Sequence, residues 1–133
     1  PSDVPRSVPV RLAGFLCSMN YSALISAIMA VESGGRDQAI GDGGRALGPL
    51  QIHRAVVQDV NRFAGTSERW EGMTNRADAR KVCELYLTRY AKGRSMQDAA
   101  RIWNGGPSGH TKSATKSYWT KVNRHLSPEL AKN

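Results

Sequence analysis

Apolar and polar residues along this chain recur mostly with a helical period, and one glycine-rich stretch breaks the pattern. A first helix is predicted from about Val8 to Ser18. Asn20 or Tyr21 opens a second, whose apolar run Ser22-Ala-Leu-Ile-Ser-Ala-Ile-Met-Ala-Val31 marks it as buried. It is expected to stop at Glu32–Ser33, before the paired glycines Gly34 and Gly35. Residues 34–49 hold Gly34, Gly35, Gly41, Gly43, Gly44 and Gly48 without an alternating run of strand length, so they predict a loop or a small irregular hairpin. Leu50-Gln51-Ile52 then leads into a helix from about Arg54 to Ala64, stopped by Gly65.

Thr74 or Asn75 is expected to cap a long helix that Gly93 ends, with Val82, Leu85, Tyr86, Arg89 and Tyr90 on one face. Ser95, with Asp98 three residues on, resembles a capping box and opens a helix through Ile102 and Trp103 to Asn104-Gly105-Gly106-Pro107. A last helix, from about Ala114 to Leu126, carries Tyr118, Val122 and Leu126 on one face before Ser127-Pro128. There is no repeat and no low-complexity segment. The reading is one mainly α domain.

With 133 residues the chain is long enough to bury a core without metal or disulfide support. No stretch approaches the roughly 20 apolar residues that span a bilayer, so no transmembrane segment is expected. The start, Pro1-Ser-Asp-Val-Pro5-Arg-Ser-Val-Pro9, resembles a linker and lacks the positive-then-apolar order of a signal peptide, so no export signal is expected within this chain. The net charge of +8 suits a polyanionic partner: nucleic acid, an anionic membrane or a bacterial wall. The cations are scattered, however, and a merely solvated surface is an equal reading. Cys17 and Cys83 each sit among apolar helical residues and read as buried thiols or as a pair. His53, His110 and His125 lie far apart and no Cys/His spacing suits zinc, so neither metal nor cofactor is expected.

Glu32 carries the first hint of chemistry. A carboxylate in the last turn of a helix faces the negative end of the backbone dipole, and Ile28, Met29 and Val31 disfavour its charge by desolvation. Both effects raise its pKa, as a group that protonates a leaving sugar oxygen requires. Asp42, among glycines, should be solvated and ionised; a protonated and a charged carboxyl together form the pair used in glycoside hydrolysis. Each residue also has a plainer reading: Glu32 as a solvent-facing helix end, Asp42 as a turn residue, Gln51 as a surface amide and Trp103 as a core aromatic.

Taken in order, these segments resemble a known family. Glu32-Ser-Gly, then Gly48-Pro-Leu-Gln51-Ile52 after the glycine-rich loop, then Ile102-Trp-Asn-Gly-Gly-Pro107 and Thr115-Lys-Ser-Tyr118-Trp119 look like the invertebrate-type (destabilase-like) lysozymes. The resemblance covers roughly Leu24 to Val122 and is most specific from Leu87 to Trp119. Glu-Ser and Leu-Gln-Ile are shared more widely, with goose-type lysozymes and lytic transglycosylases.

The resemblance implies a lysozyme-like α-rich fold with a substrate cleft between two lobes. Residues 1–8 would be a proline-rich linker or tail, 9–128 the catalytic domain and 129–133 a C-terminal tail. It implies muramidase activity: hydrolysis of the β-1,4 bond between N-acetylmuramic acid and N-acetylglucosamine in bacterial peptidoglycan. Glu32 would be the general acid and Asp42 the stabilising or nucleophilic carboxylate, with Asp37 the fallback. Ser33, Gln51, Ile52, Trp103, Asn104, Gly105 and Gly106 would bind substrate. The implied protein is a monomer without nucleic-acid partners, secreted or otherwise delivered to the periplasm or cell wall, and bacteriolytic.

Three features depart from the family, one being the length of the loop between Glu32 and Gln51, which bears on Asp42. The family's members are rich in disulfides, whereas this chain has two cysteines, so the core must supply the stability. Trp103 stands where the family commonly has histidine; an indole stacks on a sugar face but relays no proton. Two further readings stay open: a lytic transglycosylase that uses Glu32 alone and releases 1,6-anhydro ends, and a wall-glycan-binding module without activity. For the isopeptidase activity of some relatives, the sequence offers no nucleophile–base pair.

Overall fold

The computed structural model describes residues 21–126. The predicted helix Val8–Ser18, Cys17 and the stop at Ser127-Pro128 lie outside them, as do the proposed terminal segments. Residues 21–33 form α1. A two-residue antiparallel hairpin follows, β1 (Ile40–Gly41) and β2 (Ala46–Leu47), paired Ile40 to Leu47 and Gly41 to Ala46. The remaining helices are α2 (Arg54–Ala64), α3 (Arg76–Tyr90), α4 (Met96–Gly105) and α5 (Lys116–Asn123), with short 3-10 turns between them. The fold is mainly α with one small irregular hairpin.

Most helix ends follow from local chemistry. Gly65 closes α2 in a left-handed conformation (φ 69°), returning its N–H to Asn61 O. Asn75 caps α3 by accepting from Asp78 N, and Ser95 caps α4 by accepting from Asp98 N. Replacing Asn75 with Ala is expected to cost about 1 kcal/mol, visible as a Tm lower by a few degrees.

Two helices differ from the sequence expectation. α3 ends at Tyr90 and not at Gly93, because Ala91 caps it and a turn from Arg94 N to Ala91 O takes the chain away. α5 begins only at Lys116: the Thr115 hydroxyl donates toward Gly109 O and Lys112 O, and this holds Ser113–Thr115 in a tighter 3-10 turn. It also stops early, at Asn123, with single turns continuing to Leu126.

One apolar cluster joins all five helices. α1 contributes Leu24, Ile25 and Ile28, and Tyr21 donates its hydroxyl across to Leu87 O of α3. The buried face of α3 is Ala79, Val82, Cys83, Tyr86 and Leu87. Arg89 lies off it, its guanidinium 5.1 Å from the centre of the Phe63 ring, while Leu85 and Tyr90 are half-buried. Cys83 is a free, buried thiol that burial holds well above its usual pKa, so it acts as core. Among the described residues no helix is long and apolar enough to cross a membrane.

The hairpin is set against the helices by Gly48. Its φ of 84° suits glycine, and a Cβ there would collide with the Met73 carbonyl. This close approach lets Leu47, Pro49, Leu50 and Ile52 enter the core, while Gln51 is half-buried and His53 exposed.

Candidate active site

A cleft of about 470 Å³ runs between the hairpin side and the α3–α4 side. One wall is Asp42, Ala46, Gln51, Ile52, His53 and Val56; the other is Tyr86, Trp103, Asn104 and Gly106; Glu32 stands between them. Glu32, Asp42, Gln51, Ile52, Trp103, Asn104 and Gly106 therefore meet in one groove although they come from distant segments.

Glu32 sits in the last turn of α1. The helix ends where the sequence predicts, with Gly34 (φ 66°) donating to Ala30 O at 3.1 Å. Burial raises the Glu32 carboxyl above its ordinary value, and a hydrogen bond from Tyr118 offsets part of that rise. That bond runs from the Tyr118 hydroxyl to Glu32 Oε2 at 2.7 Å. Burial, then the Glu32 charge, push the Tyr118 phenol far upward, so it remains a donor. Oε2 is thereby engaged by the phenol.

Tyr118 is held by a polar knot at the end of α4. The buried Arg101 donates to Thr115 Oγ1 at 2.7 Å and to Lys112 O at 2.8 Å, while Lys112 Nζ donates to Gly105 O at 2.7 Å. The Asn104-Gly105-Gly106 turn is thus locked to the start of α5, one turn before Tyr118. Gly105 faces this knot, since a Cβ there would lie 2.6 Å from Thr115 Cγ2. Its neighbours Asn104 and Gly106 face the cleft.

Ser33 lies beneath the cleft and not on its wall. It is buried, donates to Pro49 O at 2.8 Å and Met29 O at 3.2 Å, and accepts from Gly35 N and Arg36 N. It therefore pins the Glu32 turn to the Pro49-Leu-Gln-Ile52 segment. Gln51 is also structural in part: Nε2 donates to Ala39 O at 3.2 Å and Gly48 O at 3.0 Å, holding the hairpin closed. Ile52 contributes its carbonyl to Trp70 Nε1 at 2.8 Å.

Of the two aspartates, Asp42 lines the cleft, whereas Asp37 is paired with Arg76 at 2.8 Å outside it. Asp42 occupies a 3-10 turn at φ 51°, a left-handed conformation that aspartate tolerates better than most residues. Gln51 is the other non-glycine with positive φ (52°) among the described residues, and both stand on the same wall. Such strain clusters at functional sites. Asp42 Oδ1 lies 3.2 Å from Arg45 Nη2, and Oδ2 lies 3.2 Å from His53 Nε2.

Trp103 is half-buried on the opposite wall and meets Tyr86 edge-on, ring centroids 5.4 Å apart. Tyr86 in turn packs on Tyr90 at 4.8 Å. Burial, with Tyr90 beside it, pushes the Tyr86 phenol up to about 12, so this wall is neutral and aromatic. Sequence reasoning missed Tyr86, His53 and the role of Tyr118. Tyr118 lies within the Thr-Lys-Ser-Tyr-Trp segment already singled out, whereas no local signal marks His53.

A helical domain with a half-buried glutamate facing a charged hairpin across a groove with one aromatic wall is a lysozyme-like arrangement. No family model matches the chain. Over 82 residues it is 33% identical to Lysozyme 1 of Crassostrea virginica, a match spanning 58% of this chain and 43% of that protein. The chain thus covers less than half the length of this relative. It also matches a chain of the crystal structure of Aeromonas hydrophila PliI in complex with Meretrix lusoria lysozyme. That match has a TM-score of 0.65 and 30% identity, covering 77% of this chain and 87% of the other. The chain belongs to the invertebrate-type lysozyme family.

Proposed function

We propose that the protein is a muramidase that hydrolyses the β-1,4 bond between N-acetylmuramic acid and N-acetylglucosamine in peptidoglycan. Glu32 is the general acid: it donates the Oε1 proton to the departing glycosidic oxygen as positive charge develops on the sugar ring. Asp42, on the facing wall, stabilises or traps that centre. Trp103 offers an indole face for a pyranose, and Asn104 and Gly106 line the same rim. The observation that carries the reading is the half-buried Glu32 carboxyl, raised by burial and held on one oxygen by Tyr118 inside the groove. The net charge of +8 favours approach to a wall bearing phosphates and carboxylates. Because that wall lies outside the cytoplasmic membrane, the protein acts after secretion or delivery to it.

A second reading, lytic transglycosylation by Glu32 alone, gains support from Asp42: a cation or imidazole stands 3.2 Å from each of its oxygens. Mass spectrometry of digested peptidoglycan separates the two. Reducing ends are expected; 1,6-anhydro ends would move the assignment to the transglycosylase. Wall that pellets with the protein and is never solubilised would leave only a binding module.

A further inference from the structure

Asp42 is reached from a second element by one residue, His53. His53 occupies the N-cap position of α2, yet its side chain makes no capping bond to the helix. Instead Nε2 stands 3.2 Å from Asp42 Oδ2, and the imidazole lines both the main cleft and a smaller notch of about 240 Å³ beside it. Its backbone is well anchored: Ile52 O accepts from the Trp70 indole, and Arg54 lies 4.0 Å over the Trp70 ring. The Asp42 turn is less so, since Arg45 N and Arg45 Nε both return to Asp42 O within the same short turn. His53 is therefore the fixed point against which the Asp42 carboxylate is set.

We propose that His53 is a positioning residue for Asp42, holding its carboxylate in the direction that serves the substrate. This inference rests on the reading that Asp42 faces the reacting sugar. The charged groups around the imidazole are Asp42 and Arg45 from the hairpin turn, Arg54 from its own helix, and Glu32 across the cleft. Arg45 meets one Asp42 oxygen and the imidazole meets the other, so the direction in which the carboxylate faces a developing oxocarbenium centre depends on His53.

The test compares kcat and KM for peptidoglycan cleavage in the wild type, His53→Ala, His53→Gln, Asp42→Asn and the double variant His53→Ala with Asp42→Asn. Alanine removes the group that meets Asp42, whereas a glutamine amide can still donate to it. His53→Ala is expected to lower kcat about tenfold with little change in KM, through loss of orientation, and His53→Gln to recover most of that loss. In the Asp42→Asn background His53→Ala should cost nothing further, because His53 acts through that carboxylate. A loss confined to KM, no recovery in His53→Gln, or an equal loss in both backgrounds overturns the inference. Glu32→Gln run in parallel keeps the two ideas apart: cleavage that survives it defeats the muramidase reading itself.

Discussion

Glu32→Gln is expected to lower kcat by about 10³-fold, within the range that one general acid supplies. Glutamine keeps the shape and can still accept from Tyr118, so the groove stays formed and KM should change little. The loss belongs to the missing proton. Folding stability should move the other way. Burial raises the Glu32 pKa in the folded state, so folding favours the protonated form. The contribution is then fully present below the ordinary value of 4.5 and is lost as pH rises through the folded-state pKa. Above that folded-state pKa the wild type carries a partly desolvated charge that the glutamine variant lacks, so the variant's Tm should be higher there. That gap should close under acid. A variant that is inactive and also less stable above that pKa would point to a structural role for the carboxylate, and the acid assignment would fail.

What the sequence reveals about this site is what depends on near neighbours. Glu32 could be read because an apolar run precedes it and paired glycines follow, so helix end, burial and proton affinity are all local consequences. The caps at Asn75 and Ser95 and the stop at Gly65 are of the same kind. Tyr118 could not be assigned to Glu32, since 86 residues separate them and the Arg101–Thr115–Lys112 knot sets their meeting. The His53–Asp42 contact depends likewise on how the hairpin folds back over the start of α2. The face of α3 was read only in part, for another reason. Val82 and Tyr86 of the predicted face are buried, but Arg89 reaches over Phe63 at the margin of the core, and Ala79, Cys83 and Leu87 complete the inward face in place of Leu85, Arg89 and Tyr90. Periodicity alone cannot choose between two overlapping stripes when a long cation occupies one of them.

Tyr118→Phe should separate the two things the phenol does for Glu32. The hydrogen bond to Oε2 favours the ionised carboxylate, so its removal leaves burial unopposed and raises the Glu32 pKa further. The acid then stays protonated to higher pH, and the alkaline limb of the cleavage profile should move upward. The same bond fixes which oxygen is free. Without it the carboxyl can turn, the proton is no longer held toward the scissile oxygen, and kcat at the optimum should fall roughly tenfold to a hundredfold. The phenylalanine ring keeps the packing of α5, where Tyr118 and Val122 are the buried residues, so large-scale unfolding is not expected. The opposed signs make the result diagnostic: a lower maximum together with a more alkaline limb. A limb that moved toward acid would mean that the phenol had been holding the proton on Glu32, the reverse of the electrostatics argued for this cleft.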